Sequence, residues 1–417
     1  MKVLKEASIR PTTGQDKVRS TVSEMLSRIE AGREQAALDY ARQLDGYEGP
    51  GFVSGDELRS ATVDPQLAQD IALAHQRVED FALMQRNSLR EFQVELAPGL
   101  WTGQRLVPME CAGCYVPGGR YAHVASAIMS VTTAVVAGVD TVVGCSPPRN
   151  GVVHPGVLFA MRTAGVNGVL CLGGVQGVAA LAFGLFTNRP ADILVGPGNR
   201  YVAEAKRQLF GRCGIDLYAG PTEILVLADA SADPEMVAVD LVGQAEHGPD
   251  SPAVLVTTDE ALARAVMARM PSLIDDLGES AAGAAWRDCG EVIVAESREE
   301  ACQISDRYAP EHLEVHCEDL DWFLMRLRNY GSLFLGEETT VAYGDKCSGP
   351  NHILPTMGAG RYTGGLSVHK FIKTLTWQRM TPEASAELAP VCARISRLEG
   401  MEAHARSADL RQRKYRG

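Results

Sequence analysis

In the run Asp306-Arg-Tyr-Ala-Pro-Glu-His-Leu-Glu314 an acid and an imidazole, Glu311 and His312, stand side by side. Pro310 disfavours helical geometry at Ala309, so the helical pattern from Ser297 to Tyr308 should break just before the pair and leave it at a junction between elements. Such junctions often carry catalytic groups. A carboxylate beside an imidazole can take and return a proton near neutral pH, which is general acid-base chemistry. The dipeptide alone is a weak signal, more often a surface pair beside a strand, here one over Leu313-Val315. Its weight depends on what else the chain brings to it.

A second group of residues has the types that hold a metal. The helix opening at Asp233-Pro234, with an Asp cap and Pro at its first position, should stop at Gly248-Pro249. Its last turn carries Gln244 and His247, three apart and so on one face, with Gln244 continuing the apolar line of Val237 and Leu241. Spacing alone favours the plainer role for both, satisfying backbone groups at a helix end. Two other places can complete a site: the turn-rich stretch from Gly344-Asp345 to Asn351-His352, and His404 near the end of the chain. Zinc accepts such mixtures of nitrogen and oxygen ligands. Cys111-Ala-Gly-Cys114 is a lone C-x-x-C without a second pair at zinc-ribbon spacing, and the ten cysteines show no disulfide framework.

The elements that must position these groups read as α/β. Two long amphipathic helices, Ser20 to Leu44 and Asp64 to Arg90, come first. Four strand-then-helix units follow, with strands at Gly113-Val116, Thr141-Cys145, Gly168-Leu172 and Asp192-Val195, which predicts a doubly wound parallel sheet. Such sheets bind ligands at the carboxyl ends of their strands, here the glycine-rich Pro117-Gly-Gly119, Gly173-Gly174 with Gln176, and Gly196-Pro-Gly-Asn199. None is G-x-G-x-x-G. A second α/β set follows, with strands at Ile224-Ala228, Ala253-Val256, Glu291-Ala295 and Ser332-Leu335. From about Ser367 the chain should return to helix, at Ser385-Ala403 and Arg406-Lys414, as a tail that docks on its own body or on a partner.

Composition excludes several classes. The 417 residues carry a net charge of −12 with scattered basic residues, which argues against a nucleic-acid or anionic-membrane surface. Neither a signal-peptide core at the start nor a long apolar run is evident, so a cytoplasmic enzyme is expected.

Taken together and in order, these motifs, with Ala219-Gly-Pro-Thr-Glu223, Gln244-Ala-Glu-His247, Ala309-Pro-Glu-His-Leu313, Asn351-His352-Ile-Leu-Pro-Thr356 and Leu398-Glu-Gly-Met-Glu-Ala-His404, resemble the histidinol dehydrogenase family over nearly the whole chain. The resemblance implies a homodimer dependent on NAD and zinc that oxidises an alcohol through an aldehyde to a carboxylate. It implies two incomplete Rossmann-like domains with small terminal elements reaching across the dimer: an arm over 1–20, a first domain over 21–114 and 223–366, an NAD-binding domain over 115–222, and a helical tail over 367–417. Carried over residue by residue, it makes Gln244, His247, Asp345 and His404 zinc ligands, the last from the partner subunit. Tyr115, Gln176 and Asn199 match NAD-contacting positions, Glu311 and His312 the catalytic pair, and Thr222, His352 and Glu399 positions facing the substrate.

The chain departs from the histidinol enzymes by gaining basic groups. Thr222 replaces their usual Ser, His369 and Lys370 stand where two acidic residues are common, and Arg120 and His123 follow the Pro-Gly-Gly turn. In these features the chain resembles the family's sulfopropanediol 3-dehydrogenase branch, which implies oxidation of (R)-2,3-dihydroxypropane-1-sulfonate to (R)-3-sulfolactate. L-Histidinol, or a non-catalytic metal- or nucleotide-binding role, stays open.

Overall fold

The structure is a computed structural model and describes residues 1–9, 16–118, 122–217 and 220–416. The chain divides into two compact units: residues 1–84 with 109–371, and residues 85–108 with 372–417.

The larger unit contains two six-stranded sheets of the same plan. In one, the order is Lys2–Lys5, Gly290–Val294, Ala253–Thr257, Ile224–Ala228, His312–His316, Ser332–Leu335. In the other it is Phe52–Val53, Gly168–Leu170, Thr141–Cys145, Cys111–Tyr115, Ile193–Val195, Gly214–Ile215. Five strands of each run parallel, and one short strand from the first part of the chain closes an edge antiparallel. The parallel strands are apolar runs because helices cover both faces and leave no side for water. Ile224–Ala228, for instance, is buried at every position.

The sequence-based domain boundaries shift accordingly. Phe52–Val53 and Cys111–Tyr115 lie in the second sheet, not in a first domain over 21–114. The helix Asp16–Asp45 packs on Gly174–Phe183 and Arg200–Leu209, the helices of that same sheet. The expected arm over 1–20 is partly an edge strand, Lys2–Lys5, and partly the start of that helix.

The smaller unit corrects the reading of a purely helical tail. Ile372–Met380 is a strand, paired along its whole length with Leu100–Pro108, which in turn pairs with Phe92–Ala97. Two helices follow, Pro382–Leu398 and Glu402–Tyr415, and they bury Ala389, Ala393, Ala405 and Ala408 between them. The break between them falls at Gly400, whose φ of 76° is the left-handed geometry that ends helices. Among the described residues no helix is long and apolar enough to cross a membrane.

Candidate active site

A cleft of about 1120 Å³ opens at the carboxyl ends of the second sheet, lined among others by Tyr115, Gly118, Gly174, Gln176, Asn199 and His247. The Tyr115 hydroxyl accepts the Gly174 N–H at 3.0 Å, tying the first glycine loop to the second. Asn199 caps the helix Arg200–Leu209, its Oδ1 accepting from Tyr201 and Val202 N–H. Gln176 is buried, and its Nε2 donates to Asp45 at 2.8 Å while its Oε1 has no hydrogen-bond partner among the described residues. Gly196 must be glycine: its φ is 114°, and a Cβ would lie 1.9 Å from the Tyr115 carbonyl oxygen. A buried ion pair, Lys206 with Asp216, grips this residue from both sides. Asp216 accepts the Gly196 N–H at 2.7 Å and Lys206 donates to its carbonyl at 2.8 Å. Sequence spacing gave no sign of that clamp.

The acid and imidazole sit at the amino ends of the first sheet. Ala309 ends the helix Arg298–Tyr308 with a left-handed φ of 48°, its N–H bonded to Ser305, and the strand begins at His312. The chain therefore turns where Pro310 requires. Glu311 and His312 are 7% and 2% exposed, so the pair is buried and not a surface feature. His312 Nδ1 lies 2.9 Å from the Glu223 carbonyl. A carbonyl can only accept, so Nδ1 carries a proton and, in the neutral imidazole, the lone pair is on Nε2. That atom is buried, lacks a hydrogen-bond partner among the described residues, and lies 3.7 Å from Asp345 Oδ1. Glu311 Oε2 accepts from the Thr222 hydroxyl at 2.5 Å and from the Glu223 N–H at 3.0 Å. Burial pushes the Glu311 carboxyl up, opposed by His312 and these two donors. Burial opposes charge on His312 as well, but Glu311 and Asp345 outweigh it and raise the imidazole to about 9, so that it is charged at neutral pH; a cation held by Asp345 would cancel part of that pull and favour the neutral form.

Three of the four residues proposed for a metal, Gln244, His247 and Asp345, lie about this pair, and His404 is in the smaller unit. Gln244 Nε2 donates to Thr222, whose hydroxyl is already committed to Glu311, so the amide oxygen is the atom left for a cation. Burial lowers the His247 imidazole, against the pull of Asp345, and so favours the neutral form that ligates. Burial pushes the Asp345 carboxyl up, yet His312, His352 and Lys346 hold it below the usual carboxylate range and keep it ionised. Oxygen, nitrogen and carboxylate donors with a partnerless buried imidazole nitrogen beside them fit a zinc ion.

Three expected substrate contacts have other duties here. Thr222 links Gln244 to Glu311. His352 spends both ring nitrogens inside the fold, Nδ1 on the Asp345 carbonyl at 2.8 Å and Nε2 on Ser126 at 3.0 Å, which makes it a support for Asp345. His369 is exposed on the short turn Val368–Phe371, and Lys370 donates to Thr363. His123 does line the cleft. Arg120 lies outside the described residues. Cys111 and Cys114 are three apart on one strand, so they face opposite sides of the sheet, and burial raises both thiols.

One titrating group went unread in the sequence. The Glu223 carboxyl is pushed up to about 7, by burial first and then by the charge of Glu311, although the Met357 N–H bonds to it. A raised acid binds its proton more tightly folded than unfolded. Its stability contribution is full below the ordinary value of 4.5 and is lost as pH rises to about 7. Glu223→Gln should therefore be more stable than the parent at pH 8, by up to about 3 kcal/mol, with the difference vanishing near pH 4. Thermal melts at the two pH values check this; an equal change at both would place the effect elsewhere.

In the smaller unit, Glu399 closes the helix Pro382–Leu398 and His404 is exposed in the first turn of Glu402–Tyr415. Around them Leu398, Ile395 and Met401 are 89%, 53% and 48% exposed.

The family model for histidinol dehydrogenase matches residues 8–412. A histidinol dehydrogenase homolog of Pelagibacter ubique is 56% identical over 419 residues, covering 99% of this chain and 98% of the relative. The sulfopropanediol 3-dehydrogenase of Ruegeria pomeroyi is 56% identical over 418 residues, with 99% and 96% covered. The histidinol dehydrogenase of Cereibacter sphaeroides is 42% identical, with 94% and 92% covered. Among solved structures, histidinol dehydrogenase from Elizabethkingia anophelis superposes with a TM-score of 0.91 at 31% identity, covering 98% of this chain and 95% of that one. A mixed α/β fold with two parallel sheets, a buried Glu-His pair at the head of a strand, and a family match across nearly every residue lead to one conclusion: this chain belongs to the histidinol dehydrogenase family.

Proposed function

We propose that the protein is a zinc- and NAD-dependent dehydrogenase that oxidises a primary alcohol in two steps to a carboxylate. The observation that carries this reading is the buried contact of His312 and Glu311 with Gln244 and Asp345, in the unit that also holds the glycine-lined cleft. NAD, which Tyr115, Gln176 and Asn199 would hold, would supply the hydride acceptor, and zinc, which Gln244, His247, Asp345 and the partner subunit's His404 would hold, would supply a Lewis acid for the substrate oxygen. His312 Nε2 takes the hydroxyl proton as the carbon gives up its hydride. The aldehyde then adds water, whose proton Glu311 accepts. The hydrate loses a second hydride with His312 again taking the proton. The sum is alcohol, water and two NAD giving carboxylate, two NADH and three protons.

For the substrate, we favour the sulfonate diol. The relative named for it is 56% identical, as is one named histidinol dehydrogenase homolog, against 42% for the one named histidinol dehydrogenase, so the choice leans on the site's chemistry. A sulfonate is a permanent anion that needs donors, and His123 in the cleft can provide one. Burial and the neighbouring His352, His247 and Lys346 lower this imidazole, so it meets the anion as a neutral N–H donor. Purified protein with NAD should reduce two NAD per (R)-2,3-dihydroxypropane-1-sulfonate consumed and act far more slowly on L-histidinol. His123→Ala should raise KM for the sulfonate about tenfold, near 1.4 kcal/mol. Robust turnover of L-histidinol without sulfonate oxidation would instead support the second reading, histidinol oxidation, which the 31% identical histidinol dehydrogenase fold keeps in view.

A further inference from the structure

One repeat below the catalytic cluster lies a second polar cluster that the chemistry above does not use. His312, Glu314 and His316 alternate along one strand and so share a face. Asp240 precedes Gln244 by four residues, one turn earlier on the helix Pro234–Ala245. This side of the sheet is otherwise apolar, packed from Val226, Val237, Leu241, Leu255 and Phe334. Into it the chain places two carboxylates and an imidazole. Glu314 is 0% and His316 1% exposed.

Their hydrogen bonding is half complete, and in a consistent direction. Glu314 Oε1 accepts the Val341 N–H at 2.8 Å, and Asp240 Oδ1 accepts the Thr340 hydroxyl at 2.8 Å. Each carboxylate is thereby oriented by one oxygen, and the other turns towards His316. His316 Nε2 lies 3.5 Å from Glu314 Oε2 and 3.7 Å from Asp240 Oδ2. Neither approach makes a hydrogen bond: Glu314 Oε2 and both nitrogens of His316 lack a partner among the described residues. One ligand atom from each of the three lies within 4.8 Å of the others. Two ionised carboxylates against one imidazole leave net negative charge in an apolar layer even when the imidazole is protonated, a cost that shows in the Asp240 carboxyl, pushed up to about 7 by burial and then by the charge of Glu314. A divalent cation beside a neutral imidazole removes the imbalance and gives Glu314 Oε2, Asp240 Oδ2 and His316 Nε2 a shared partner.

We propose that Asp240, Glu314 and His316 bind a second divalent cation, Zn²⁺ or Mn²⁺, in a structural site apart from the catalytic metal. An imidazole with two carboxylate oxygens suits either ion. Its place in the fold gives it a purpose. The three elements it joins, the helix Pro234–Ala245, the strand His312–His316 and, through Thr340 and Val341, the helix Val341–Lys346, are those that carry Gln244, His312 and Asp345. Pinning them one repeat away fixes the spacing of the catalytic cluster.

The test is metal content of untagged protein after exhaustive dialysis. A His247→Ala, Asp345→Asn double variant, stripped of the catalytic metal, should retain about one equivalent of metal per chain, and should rebind Zn²⁺ or Mn²⁺ to that level after chelation. Adding Glu314→Gln should abolish the remaining equivalent. If that variant does not fold, Asp240→Asn, which keeps the acceptor for Thr340, serves the same purpose. A double variant that melts cooperatively yet holds and rebinds no metal overturns the proposal. So does retention of the metal in the Glu314→Gln or Asp240→Asn background. Neither result touches the proposed dehydrogenase activity, which the parent protein reports separately.

Discussion

The His312→Asn enzyme is expected to lose roughly 10²–10⁴-fold in kcat with little change in the affinity for NAD. Asparagine preserves a donor towards the Glu223 carbonyl but offers no basic nitrogen at the position of Nε2, so what is removed is the proton acceptor and not the packing. The companion variant, Glu311→Gln, should separate the two oxidations. It keeps an oxygen for the Thr222 hydroxyl and the Glu223 N–H, and loses the ability to take a proton from water. Aldehyde should then accumulate, and NADH formed per alcohol should fall from two towards one. Stopped-flow absorbance with an aldehyde trap reads both. Near-parental turnover of His312→Asn would remove this imidazole from the chemistry.

The second large effect concerns the tail. In the proposed zinc site three donors lie in one unit, while His404 stands on an exposed helix among exposed Leu398, Ile395 and Met401, as expected if a subunit lends the fourth ligand to its neighbour. His404→Ala and Asp345→Asn should each be inactive as homodimers. Refolded together in equal amounts, they should recover about a quarter of parental activity, because half the dimers are mixed and each mixed dimer has one site with both residues intact. No recovery on mixing, with both variants folded and exchanging subunits, would mean that His404 serves its own chain or no zinc at all.

How much of this was legible in the sequence varies with how local the signal is. Ile224–Ala228, Ser332–Leu335 and Arg298–Tyr308 could be read to the residue, because a parallel strand under helices is a mostly apolar run and a capped helix announces both ends. Ile372–Met380 was read as helix because seven of its nine residues are exposed, so no buried stripe marks its period. Phe92–Ala97 is exposed throughout and equally silent, although Pro98-Gly99 at its end is a turn signal. In the site, the pair Glu311-His312 was visible as adjacent letters and the glycine loops as strand ends. The contacts that give them meaning were not. Gln244 meets His312 across 68 residues of sequence, and Lys206 closes on Asp216 from a neighbouring element. Such pairings follow from strand order, and spacing does not encode them. The resemblance to a family supplied residue roles that local physics left open, such as His404.

The cleft uses the carboxyl ends of one sheet and the amino ends of the other, and this gives its two walls opposite polarity. On the first side three helices begin, after His123, Gly173 and Asn199, each directing the positive end of a peptide macrodipole towards the cleft. On the second side the helix Pro234–Ala245 ends at Gln244 and His247, directing carbonyls and the negative end of its own. The proposed pyrophosphate and dication would thus each meet a wall of opposite polarity, an effect of the backbone that adds to that of the side chains.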